Sequence, residues 1–247
     1  MSRLVVFAVV AAFPAAARAG GGGVTEAGGL AAPSVMLVTL AALALVPFVI
    51  MMATSFVKIS VVLSIVRNAL GTQQIPPAPV VTGLAVVLTM YVMWPVASDV
   101  YSESRRAFES EDRAFSIDSV DDVIHAAGAG KEPLREFLKR NAGQAEVTSL
   151  AAMAEERWKG RSEVSVDDFI VLIPAFVLSQ LKEGFRIGFM IYIPFLVVDL
   201  LITNVLLALG MSMLSPAMVS VPVKILIFIA SDGWALIARG LVSSFKG

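Results

Sequence analysis

The sequence predicts an all-α, membrane-derived protein: apolar helical hairpins with Pro-broken helices and one small helical insert. Three observations predict this. Of 247 residues, 57% are hydrophobic and 16% charged, and the mean hydropathy is +0.81; an average soluble domain is roughly 25% charged. Long apolar runs occur in both halves of the chain, and Val35–Val57 is charge-free and long enough to cross about 30 Å of hydrocarbon. The charge is gathered between them. Asp99–Asp168 carries 16 acids and 10 bases, whereas the remainder carries four acids and nine bases.

Residues 1–19 read as a signal peptide. Arg3 supplies the positive start, Leu4–Phe13 a short apolar stretch, and Ala17-Arg18-Ala19 a small-residue cleavage site. The alternative is an uncleaved amphiphilic segment. Residues 20–34, opening with Gly20–Gly23, form a flexible N-terminal spacer. Residues 35–98 form the first apolar helical hairpin. Val35–Val57 is uncharged and long enough to span, with a kink at Pro47. Lys58 interrupts it, Ile59–Val66 continues to Arg67, and Asn68–Pro79 is a loop ending in prolines. Val80–Ala97 returns. Arg67, with no acid nearby, puts the loop on the cytoplasmic side.

Residues 99–168 form the acidic helical insert. Pro133 suits a first helical turn, and Leu134, Phe137 and Leu138 follow at helical spacing. Leu150, Met153, Ala154 and Trp158 repeat that spacing. Residues 169–247 form the second apolar helical block. Phe169–Leu181 is broken by Lys182, Glu183 and Arg186, resumes as Ile187–Leu209, turns at Gly210–Pro216 and returns as Val219–Ala238.

Much chemistry is excluded. The chain has no cysteine and a single histidine, His125. This removes disulfides, thiolate metal sites and cysteine nucleophiles, and makes a histidine metal site untenable. Gly130-Lys131 fails as a phosphate loop because Glu132 replaces the hydroxyl residue. The residues point to no catalytic centre, cofactor site or metal site, and the net charge of −1 points to no nucleic-acid partner.

The residues that stand out are polar groups inside apolar runs: Lys58, Lys182, Glu183, Arg186, Asp199, Lys224 and Asp232. Such groups are costly in an apolar medium and face a partner or a wet path. They read either as a polar pathway and charge pairs between subunits, or as ends that snorkel to an interface. Asp199 and Asp232 favour pairing, because short acids cannot snorkel far. Lys224 and Asp232, eight apart, lie within about 80° on a helix. Pro47, Pro95, Pro174, Pro194 and Pro222 recur inside the apolar runs and predict bends, which an assembled, pore-like object tolerates. Gly184 and Gly188 form a small-xxx-small pair, a common chance pattern when taken alone. Met211 and Met213 flank Ser212 in the turn between the last two runs. Flexible methionines could seal a channel when contributed by several copies, or simply fill a turn.

These residues resemble the FliP/SctR family, core components of the type III secretion export gate. The resemblance rests on SFVKISVVLSIVRNALGTQQIPP (Ser55–Pro77), PAFVLSQLKEGFRIGF (Pro174–Phe189), PFLVVDL (Pro194–Leu200), LALGMSMLSP (Leu207–Pro216) and DGW (Asp232–Trp234), in that order. Lys58, Gln73-Gln74, Leu214-Ser215-Pro216 and GLVSSF (Gly240–Phe245) resemble the virulence (SctR) branch. The signal peptide and the length resemble the flagellar (FliP) branch.

The resemblance implies a helical oligomer of several copies with SctS/FliQ-type and SctT/FliR-type proteins in the bacterial inner membrane. The gate would reach the periplasmic side, where the insert would lie. It implies a channel for unfolded secreted proteins, sealed by a methionine gasket that maps to Met211 and Met213. Ser212 departs from the family's middle methionine and cannot supply the same apolar seal. The expectation is a non-enzymatic conduit. The rival readings are a stand-alone membrane transporter, which the lack of an inverted repeat disfavours, and an assembly scaffold with no contact to the lumen.

Overall fold

The structure is a computed structural model that describes residues 51–72, 76–109, 130–157, 165–211 and 213–246, together with Ala44, Phe48 and Gly128. The segments expected as signal peptide and spacer, together with Pro47, His125, Trp158 and Ser212, lie outside the described residues. Seven helices are described: α1 Phe56–Ala69, α2 Ala78–Glu109, α3 Lys131–Asn141, α4 Gln144–Arg157, α5 Phe169–Ala208, α6 Pro216–Ala230 and α7 Gly233–Ser243. The chain divides into two compact units, residues 54–93 with 140–247, and residues 1–53 with 94–139.

The larger unit is organised around α5, which packs against α1, α4 and α6. Helix α1 lies beside α5 in parallel. Its Lys58, Val61 and Ile65 meet Glu183, Gly184 and Gly188 in the same order. The small-xxx-small pair is therefore a helix contact within the chain. A β-carbon on Gly188 would come 2.4 Å from Ile65 Cδ1, and one on Gly184 would come 3.4 Å from Val61 Cγ1. Two glycines four residues apart let the backbones approach this closely.

One hydrophobic core unites the unit. Ile59, Val62, Leu63 and Val66 of α1 are fully covered and join Val81 and Ala85 of α2 and Phe195 of α5. From the other side come Phe228 of α6 and Ile237 and Leu241 of α7. Phe228 sits between Phe195, at 6.2 Å, and Trp234, edge to face at 5.2 Å.

The observed helices correct the sequence expectations in four places. The first concerns Lys58, which does not interrupt a helix. The break falls earlier, at Ala53–Ser55, and Lys58 is buried inside α1. Likewise, Lys182, Glu183 and Arg186 do not break the second block, because α5 is one helix of 40 residues. Lys182 and Glu183 each find an opposite charge on another helix, so nothing drives unwinding there.

The prolines also sit differently from expectation. Pro95, Pro174, Pro194 and Pro222 all lie inside continuous helices. The 62° break occurs instead between α6 and α7. There Asp232 takes a left-handed φ of 51°, and Gly233 lies so close to the Phe228 ring that a β-carbon would clash. Finally, Val219–Ala238 is two helices meeting at that break, not one run.

The smaller unit comprises, among the described residues, the second half of α2 and nearly all of α3. Helix α2 runs without a break through residues 98 and 99, where composition changes from apolar to acidic. Ser104 is fully covered, as is Leu138, and Phe137 is buried. Glu132 and Arg135 pair along the exposed side of α3 at 2.5 Å. In α4, which belongs to the larger unit, the expected apolar face is narrow: Ala154 is buried and Met153 is exposed.

Among the described residues, α2 and α5 are long and apolar enough to cross a membrane, and α6 with α7 forms a third candidate if the bent pair counts as one. Only 11% of each apolar window in α2 and α5 is buried within the chain. This much uncovered apolar surface requires lipid or neighbouring protein around it.

Candidate functional site

Two lysines are buried in apolar surroundings, and each has more than one partner. Lys58 Nζ donates to Glu183 Oε2 at 2.9 Å and to the Ser244 carbonyl at 3.4 Å. It also stands over the Phe245 ring, 3.7 Å from its centre. Helical periodicity puts Lys58 on the same face as Val62 and Ile65, which is why it points at α5 rather than away. Lys224 of α6 donates to Asp199 Oδ2 at 2.5 Å and to the Ala69 carbonyl at 3.2 Å. It thereby caps α1 and ties three helices together. Removing two ammonium groups from water is costly, and an ion pair with further polar contacts offsets part of that cost.

A third pair lies at the surface. Lys182 of α5 donates to Glu146 Oε1 of α4 at 2.9 Å. That hydrogen bond, followed by one from the residue's own backbone N–H, holds the Glu146 carboxyl below the usual carboxylate range. Nearby, the Gly143 N–H donates to Ser179 Oγ at 2.7 Å, so α4 is docked on α5 at two adjacent points.

The sequence reading assigned these charges to a polar pathway or to pairs between subunits. The structure pairs five of the seven within the chain: Lys58 with Glu183, Lys224 with Asp199, and Lys182 with Glu146. Lys224 and Asp232 do not meet, because α6 ends at Ala230 and the eight-residue helical extrapolation fails at the break. Arg186 and Asp232 are exposed and form no ion pair among the described residues.

Met211 and Met213 sit at the turn between α5 and α6. The turn is set by Gly210, whose φ is +73°. The Met211 N–H donates to the Leu206 carbonyl and the Gly210 N–H to the Leu207 carbonyl, a paired closure of the helix end that requires a left-handed residue. Met213 is fully exposed and Met211 partly so. The turn thus presents both side chains away from the core.

Sequence reasoning missed Asn141, Gln180 and Phe245. Gln180 is fully covered and donates to the Asn141 carbonyl at 2.8 Å. The Asn141 side chain exchanges two hydrogen bonds with the Lys246 backbone, at 3.2 and 3.0 Å. No local pattern signals contacts that span more than a hundred residues. An open apolar cavity of about 350 Å³ lies at the α6–α7 bend, lined by Ile187, Ile191, Phe195, Phe228 and Leu236 among others, with no titratable group on its wall. Among the described residues no cluster of three metal-ligating acids or histidines occurs. The polar groups of the site hold helices together; they form no acid–base or nucleophile constellation.

Known proteins share this sequence over most of its length. The FliP family profile matches residues 39–241. Probable translocation protein y4yL of Sinorhizobium fredii is 43% identical over 212 residues, covering 85% of this chain and 93% of that one. Yop proteins translocation protein R of Yersinia pestis is 40% identical over 216 residues, covering 86% and 96%. Virulence protein YscR of Salmonella typhimurium is 41% identical over 206 residues, covering 83% and 93%. By the extent of that match and the level of these identities, the chain belongs to the FliP family.

Proposed function

We propose that this chain is a virulence-type core subunit of the type III secretion export gate and that its α5–α6 turn lines the channel. Membership of the FliP family and relatives named for translocation and virulence support an export-apparatus component rather than an enzyme. The chain is a membrane protein with two or three apolar helices of spanning length. The large uncovered faces of α2 and α5 suit an assembly of several proteins better than a free-standing chain. In this reading several copies assemble helically with SctS/FliQ-type and SctT/FliR-type proteins in the bacterial inner membrane. The gate reaches the periplasmic side, with the 99–168 insert there, and unfolded proteins pass through.

The observation that carries the reading is the presentation of Met211 and Met213. Their side chains stand clear of the core on a turn that Gly210 fixes. Ringed by copies, such flexible side chains exclude water and ions when the gate is closed and deform around a passing chain. Ser212 leaves two methionines per copy for this role. The intrachain ion pairs give each subunit a rigid frame behind the turn.

Replacing Met211 and Met213 together by Ala tests the seal. Ion conductance through the resting gate should rise while the assembled complex persists. Unchanged conductance would overturn the assignment.

A further inference from the structure

We infer that Ser244–Lys246, the segment after α7, is a strap that closes over Lys58 and locks the α1–α5 contact to the α3–α4 junction. This goes beyond the export reading and does not depend on it. Three contacts carry the inference, two to Lys58 of α1 and one to Asn141 at the end of α3. At one end the Ser244 carbonyl and the Phe245 ring cover the Lys58 ammonium, 3.4 Å and 3.7 Å away. Glu183 is half exposed and covers only one side of that ammonium, so the strap completes the enclosure of a side chain that is 1% exposed. At the other end the Lys246 backbone exchanges two hydrogen bonds with the Asn141 side chain. Asn141 in turn is held from α5 by Gln180.

The strap is built to open locally. Lys246 is exposed and Asn141 is half-buried, so water can compete for that end. Phe245 is only partly buried against the core. Opening costs a few contacts and leaves the α1–α5 core intact, the behaviour of a low-stability local unit. Its consequence is chemical: Lys58 loses two of its three partners and becomes reachable from solvent. The strap therefore couples the placement of the α3–α4 junction to the exposure of a buried cation about 125 residues away from its acid in sequence.

The test uses the full chain in isolated membranes, treated with a small amine-acetylating reagent and read by mass spectrometry. Asn141→Ala, which removes both side-chain hydrogen bonds to the Lys246 backbone, should raise Lys58 acetylation about tenfold, the effect of losing one to two hydrogen bonds. Phe245→Ala should raise it further. Lys224, buried elsewhere, is the internal control and should not change. No rise at Lys58 in either variant would overturn the strap. A parallel rise at Lys224 would also overturn it, because general unfolding rather than local opening would then explain the labelling.

Discussion

Lys58 Nζ lies 2.9 Å from Glu183 Oε2, joining α1 to the middle of α5. The pair is asymmetric, with the lysine covered and the glutamate about half exposed. The ammonium has given up its hydration and depends on its partners, whereas the carboxylate keeps part of its water.

That asymmetry predicts unequal effects of mutation. Glu183→Gln should destabilise the detergent-solubilised chain by about 2 kcal/mol, because it removes a charged hydrogen bond from a buried cation. Lys58→Met should cost less than that, since it leaves the half-exposed Glu183 to water. Adding Lys58→Met to Glu183→Gln should restore stability, as replacing a buried pair by apolar groups often does. Thermal unfolding of the three variants checks the order. Equal losses from the two single changes would contradict it.

Gly188 and Gly83 are both helical, but only one is in close contact. At Gly188 a β-carbon would meet three atoms of the Ile65 side chain within 3.1 Å, whereas at Gly83 nothing lies within 4 Å. Gly188→Ala should therefore cost about 1–3 kcal/mol by overpacking, and Ile65→Ala should relieve it. Gly83→Ala should stabilise by up to about 1 kcal/mol through helix propensity. Denaturant unfolding measures both. A stabilising Gly188→Ala would mean that α1 and α5 are not in contact.

The Glu146 carboxyl is held below its ordinary value, first by the Lys182 hydrogen bond. A carboxyl depressed in the folded chain contributes stability above its unfolded value, and that contribution is lost as pH falls through the folded value. Acidification from about pH 5 downward should therefore loosen α4 from α5. Glu146→Gln should lower the melting midpoint slightly at neutral pH, and the difference from the parent should vanish in acid. A difference that persists in acid would show that the pair is not what holds α4.

The general plan was readable in the residues, and the pairings were not. Charge-free runs and helical spacing were enough to anticipate α2, α3 and the helical second block, because burial leaves a periodic trace. Gly71 with the prolines after it, and the glycine at position 210, marked where α1 and α5 end. Lys182–Arg186 looked like a break because charge in an apolar run is costly on its own. What removes the cost, Glu146 and Lys58 on other helices, leaves no local signal. The parallel contact of α1 with α5 likewise joins segments over a hundred residues apart. Gly184 and Gly188 advertised a close approach but not which helix approaches. The break at Ser231–Asp232 was legible in Ser231-Asp232-Gly233, a polar turn sequence that the reading of Val219–Ala238 as one apolar run passed over; there the left-handed Asp232 ends the helix.

The most direct measurement of the central claim is site-specific photocrosslinking from positions 211 and 213 to a secretion substrate stalled in the gate. The account predicts crosslinks from both positions, since Met211 and Met213 stand exposed on the α5–α6 turn. Crosslinks from other gate positions, with none from 211 or 213, would contradict the claim that this turn lines the channel.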